Sequence, residues 1–144
     1  MMCIFLGMRR GSFIVLIIGF LTSCSVNDDS GNIIQNLAPT LSVNMPDTFV
    51  FGETYEIEIT YKRPTNCHTF SGLDVARNGN EIIIGVVTSY SARNLNCSAS
   101  GNLQASAKIN FVAERNDFYI FKFWKGKSAT GIDRFLIVEI PVTL

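Results

Sequence analysis

Residues Thr54–Lys62 read "TYEIEITYK". Tyr55, Ile57, Ile59 and Tyr61 alternate with Thr54, Glu56, Glu58, Thr60 and Lys62, so an extended chain sends the two sets to opposite faces. One set suits a core and the other suits water, which predicts a half-buried β-strand. "NLQASAKINF" (102–111) repeats the pattern, with Leu103, Ala105, Ala107, Ile109 and Phe111 inward. "EIIIGVVTSY" (81–90) is apolar on both faces and suits a central strand. "DFYIFKFWK" (117–125) and "DRFLIVEIPV" (133–142) continue the series, and a strand near Leu41–Val43 opens it. No helical stripe interrupts them.

Turn signals separate these runs. Asn78–Gly79 predicts a tight hairpin because both residues tolerate positive φ. Gly126 to Gly131 predicts a longer one. Pro64 ends a strand, and Pro141 makes part of the last strand an edge. The expected fold is all-β: an antiparallel two-sheet sandwich of about seven strands, spanning residues 39–144. Tyr119, followed two places later by Phe121, resembles the corner tyrosine and core residue of immunoglobulin-like domains, so an Ig-like relative is expected. Phe121 stands where antibody domains have cysteine.

The chain has 144 residues, 47% hydrophobic and 17% charged, which is too apolar for disorder. After Ser23 there are ten basic and twelve acidic side chains, a net of −2. Without a cationic field, nucleic acid is not an expected partner.

The apolar excess is concentrated at the start. From Met8 the leader reads "MRRGSFIVLIIGFLTSC". Arg9 and Arg10 form a positive n-region, and Phe13–Leu21 is an apolar stretch of nine residues. That is too short for a bilayer core of ~30 Å, which needs about 20 residues, and suits a signal peptide over residues 1–23. Met1, Met2 and Met8 are alternative starts; the earlier ones only lengthen the n-region.

Leu21-Thr22-Ser23-Cys24 resembles the lipobox of bacterial lipoproteins. The resemblance implies cleavage before Cys24, a diacylglyceryl group on its sulfur and an acyl chain on the new amino terminus. Two or more chains anchor stably where one does not. The alternative is an ordinary leader that happens to contain a cysteine. Ser25 after the cysteine resembles lipoproteins sent on to the outer membrane. Asp28 and Asp29 resemble the acidic stretch that directs some Bacteroidetes lipoproteins to the cell surface; the alternative is a plain polar tether. Residues 24–38 are expected to be the lipidated cysteine and that tether.

Cys67 and Cys97 remain in the mature domain. An exported protein meets an oxidising compartment, so a disulfide is expected. The alternative is a metal held by Cys67, His68 and Cys97. His68 is the sole histidine and no CxxC is present, which weakens that alternative.

Catalytic motifs are missing: no GxSxG, HExxH or phosphate-cradling glycine loop occurs, and no cofactor is expected. An enzyme would have to use His68. Glu56 and Glu58, about 7 Å apart on one strand face, suit a solvated surface better than a carboxylate pair. "FKFWKGK" interleaves aromatics and lysines as single-strand binders do, but a core strand running into a basic loop explains it better.

One pattern is less ordinary. If Tyr119, Phe121, Phe123, Leu136, Val138, Ile140 and Val142 face inward, then Ile120, Trp124, Phe135 and Ile137 share the outer face with Lys122 and Glu139. An apolar outer face can mark a binding surface for a glycan or an envelope protein. The alternative is that "NIIQNLAPTL" (32–41) covers it.

"YKRPTNCHTF", the later cysteine and "FKFWKG" together resemble small lipoproteins of flavobacteria and relatives, over most of residues 50–144. The matching residues are Arg63, Pro64, Thr65, Cys67, His68 and Trp124. The resemblance implies lineage and no mechanism. The expected protein is a lipid-anchored outer-membrane lipoprotein with a non-catalytic binding or assembly domain at the envelope. Alternatives are a structural subunit of an envelope complex, or an enzyme using His68.

Overall fold

The computed structural model describes residues 32–144. The leader, Cys24 and the first part of the tether lie outside the described residues. The described chain is all-β with nine strands: β1 (Ile33–Ala38), β2 (Thr40–Asn44), β3 (Phe49–Val50), β4 (Thr54–Lys62), β5 (Thr69–Asn78), β6 (Glu81–Ser91), β7 (Gln104–Val112), β8 (Phe118–Lys127) and β9 (Asp133–Thr143). They form two sheets. β2-β4-β7 make the smaller one, and β1, β5, β6, β8, β9 and β3 make the larger.

The alternation decides which faces meet. On β4, Ile57, Ile59 and Tyr61 are buried, and they lie opposite Ile109, Ala107 and Ala105 of β7. Ile82, Ile84 and Val86 of β6, Phe121 and Phe123 of β8, and Ile140 and Val142 of β9 close on them from the larger sheet. A single apolar layer between two sheets gives a sandwich-like fold.

Five aromatic rings lock one end of that layer. Phe49 stacks on Tyr55 with centroids 4.4 Å apart, and Phe111 meets Tyr119 edge-on at 4.9 Å and Phe121 at 5.1 Å. The buried Tyr119 hydroxyl accepts the N–H groups of Glu114 and Arg115, at 2.9 and 3.0 Å. This satisfies two backbone donors in the β7–β8 corner. In the same corner Arg115 grips Asp117 through two hydrogen bonds and holds its carboxyl down to about 2.

The structure corrects several expectations. There are nine strands rather than about seven. β3 has only two residues, too few for a periodic signal. Ile33–Ala38, expected within the tether, instead form β1, antiparallel to β6 from Ile33↔Ser91 to Ala38↔Val86. The chain then changes sheets at Pro39, so β1 and β2 are neighbours in sequence but not in one ladder. The pairing is not wholly antiparallel: β6–β8 and β3–β9 run parallel. β7 lies between β6 and β8 in sequence but belongs to the other sheet, so two reversals return β8 to the direction of β6. The two-residue hairpin loop is Gly79–Asn80, one place beyond the Asn78–Gly79 expected. Asn78 still pairs with Glu81, and Gly79 takes φ 62°.

Candidate functional site

β6 carries β5 on one edge, from Glu81 to Ser89. Its other edge is shared. β8 takes Glu81 to Ile84, and β1 takes Val86 to Ser91. Gly85 is in neither of those two ladders. β8 and β1 part at this point, and the outer face of the larger sheet opens into a depression of about 240 Å³. Ile83 and Gly85 of β6 lie between Asp74 and Ala76 of β5 on one side and Trp124 of β8 with Phe135 of β9 on the other. Leu37 of β1 contributes a further wall, and Lys127 and Asp133 complete the rim.

Gly85 has a packing reason to be glycine. A Cβ there would stand 3.0 Å from Leu37 Cδ2. The bare backbone lets Leu37 lie close and keeps the floor low.

Trp124 is half-buried and held at one atom. Its Nε1–H donates to Asp133 Oδ1 at 2.9 Å, and Lys127 Nζ donates to the same oxygen at 2.8 Å. The hydrogen bond from Lys127, then that from Trp124, lowers the Asp133 carboxyl below its ordinary value. Asp133 is therefore anionic at neutral pH, with its second oxygen still able to accept. Across the depression stands Asp74. Among the described residues the ion pairs are Glu56–Lys108, Arg115–Asp117, Glu81–Lys122 and Asp133–Lys127, which leaves Asp74 uncompensated.

Of the four residues expected on the outer face, two come together. Trp124 and Phe135 face each other in the β8–β9 ladder and line the depression. Ile120 and Ile137 share the face but not the hollow. The Lys122–Glu81 ion pair, at 2.7 Å, lies between Ile120 and Trp124, and Ile137 stands 59% exposed beyond it. The segment 32–41 does not cover the face; it joins the sheet edge and supplies only Leu37 as a wall. Asp74, Ala76, Ile83, Gly85 and Asp133 went unnoticed in the sequence. The one available signal was Gly85, a lone glycine inside an apolar strand.

The second candidate lies near the start of β5. Cys67 and Cys97 form a disulfide, with Cα atoms 5.4 Å apart, so neither sulfur is a free thiolate. The neighbouring His68 is only 4% exposed. The Thr65 hydroxyl accepts the Cys67 N–H (3.3 Å) and donates to His68 Nδ1 (2.8 Å). His68 Nε2–H then donates to Asn36 Oδ1 of β1 at 3.3 Å. This network assigns the neutral Nε2–H tautomer. Tyr90 packs on the ring at 4.5 Å, and Arg63 donates to the His68 carbonyl oxygen at 3.4 Å. Both ring nitrogens are engaged in tying β1 to the turn before β5. Among the described residues, no three His, Cys, Asp or Glu side chains are grouped to hold a metal.

Burial first, and Arg63 second, push the His68 pKa below its ordinary value. The unfolded chain therefore binds a proton at a pH where the folded chain does not. Stability should be full where both states are neutral and should fall as pH drops through about 6.5, by at most about 1.4 kcal/mol per pH unit. With a single histidine in the chain, a slope in that window belongs to His68. Urea unfolding at neutral and mildly acidic pH should show it, and His68→Phe should abolish it.

No family model, no curated protein and no solved structure matches the chain. Its function is read from the chemistry of its own side chains.

Proposed function

We propose that this chain is a lipid-anchored lipoprotein of a bacterial outer membrane, whose sandwich domain binds an envelope component without catalysis. The observation that carries the binding role is the outer-face depression at the β6–β8–β1 fork. There an indole is fixed by Asp133 and flanked by open apolar surface. Concave apolar surface with a few placed polar groups is the usual form of a binding site. The anchor follows from the Leu21–Cys24 lipobox. Eight residues lie between Cys24 and Ile33, so the tether reaches at most about 30 Å, shorter than a tether ending at Pro39. An Ig-like ancestry is supported by the Tyr119 corner, although the parallel β6–β8 pairing departs from that pattern.

The test uses the mature chain from residue 24, carrying Cys24→Ser and exported in soluble form behind a conventional leader. Added to envelopes of cells lacking the protein, it should bind saturably. Trp124→Ala should reduce that binding about tenfold while leaving the unfolding midpoint nearly unchanged. Equal binding by the two proteins would remove the outer face from the function. A large loss of stability would make Trp124 a core residue instead.

A further inference from the structure

We infer that the occupant of the depression is one neutral sugar ring, presented by an envelope glycan. The inference rests on the binding role proposed above and deepens it. At about 240 Å³ the hollow is smaller than the roughly 300–1,000 Å³ of sites for drug-sized ligands, so it accommodates a single ring. Its surfaces are of two kinds. Trp124, Phe135, Ile83 and Leu37 are apolar and line its interior. Asp74 and Asp133 lie on β5 and β9, at opposite rims, and both can accept hydrogen bonds.

A pyranose has the matching division. Its axial C–H groups form an apolar face that packs on the electron-rich face of an indole, and its hydroxyls donate around the edge. Asp133 can still accept through the oxygen that Trp124 and Lys127 do not use, and Asp74 is in none of the ion pairs among the described residues. Lys127 supplies a donor for a ring or hydroxyl oxygen. The Trp124–Asp133 hydrogen bond fixes the indole in advance, which lowers the entropy lost on binding.

Charge separates this occupant from the nearest competitor, a lysine or arginine side chain of a protein. A cation would be drawn to Asp74 and to the indole face. Lys127 stands with Asp133 at the rim beside the indole and opposes it. With Lys127 and Asp133 paired, the lining carries one uncompensated charge, too little for a site built around cations.

Trp124 is the only tryptophan in the chain, so its fluorescence reports on this site alone. The soluble Cys24→Ser chain is titrated with neutral hexose and N-acetylhexosamine oligosaccharides, and in parallel with an oligolysine peptide. The expected result is a saturable change with at least one neutral saccharide and none with the peptide. Gly85→Ala, which places a methyl at the floor and against Leu37, should weaken that affinity about tenfold. Asp74→Asn, read by the same fluorescence, should weaken it less. Calorimetry covers Trp124→Ala, which has no indole to report and should bind at least about tenfold more weakly.

Silence from every saccharide at tens of millimolar overturns the inference, and so does a response to the peptide alone. Envelope binding decides the broader role separately. If it depends on Trp124 but is destroyed by protease and untouched by sugars, the binding role stands and the sugar falls. If it ignores Trp124, both fall.

Discussion

Phe49→Ala should destabilise the domain by about 3–5 kcal/mol, the range for emptying a fully buried phenylalanine site. Phe49 is 0% exposed although it sits on a strand of two residues. Its ring stacks on Tyr55 and lies 5.6 Å from Phe111, 6.1 Å from Phe121 and 6.3 Å from Tyr119. Those neighbours come from β4, β7 and β8, so one side chain bridges both sheets. They are held by rigid ladders and cannot collapse into the space left behind, which puts the cost at the upper end. The backbone of β3 adds little in compensation. It is held to β9 by Phe49↔Val142 and Val50↔Thr143, and to Tyr55 by the Val50 N–H at 2.8 Å. Against a typical total of about 5–15 kcal/mol, the variant should be marginal. Urea unfolding measures it directly. A loss under about 1 kcal/mol would mean that the ring is not docked as described.

Phe49 also marks what sequence reasoning could not reach. Nothing local distinguishes "TFVF" as a strand, because two residues have no period and their partner is β9, more than ninety positions away. β1 was missed for a related reason. "IIQNLA" does not alternate, and it becomes a strand only because β6 offers the edge that β8 leaves after Ile84. The long strands were legible because each carries its own pattern. The inward sets on β4, β7, β8 and β9 are the buried or part-buried sets of the structure. For the same reason the outer face of the last hairpin could be read, with Trp124 and Phe135 on it. The hollow could not. It is made by a fork among β6, β8 and β1, and five of its nine lining residues come from β1, β5 and β6, strands that no spacing in "FKFWKG" can indicate. Parallel pairing hid in the same way, since it depends on which sheet β7 joins.

Removing the disulfide, by reduction or by Cys67→Ser with Cys97→Ser, should cost roughly 3.5–4 kcal/mol. The bridge closes a separation of 30 residues, and the chain-entropy argument assigns the cost to the freedom regained by the unfolded chain. The folded state gives an independent reason to expect a large effect. The closed loop contains β5 and β6, the hairpin that supplies Asp74, Ala76, Ile83 and Gly85 to the depression. Beyond β6 the chain passes through residues 92–103 before entering β7, and that passage is fixed by the bridge, a few hydrogen bonds and, at its far end, the buried Leu103. Two of those bonds join Asn66 and Ser98, through the Asn66 N–H and its side-chain oxygen. Cys67 adjoins His68, whose ring holds Asn36 of β1. Losing the bridge should therefore loosen the latch on β1 as well as the loop. The two contributions can be separated. If the effect is only on the unfolded chain, the reduced protein keeps its affinity at the Trp124 site and its slope near pH 6.5. If the latch loosens too, the pH slope flattens in the reduced protein, because His68 is then free to take a proton while the rest of the domain stays folded.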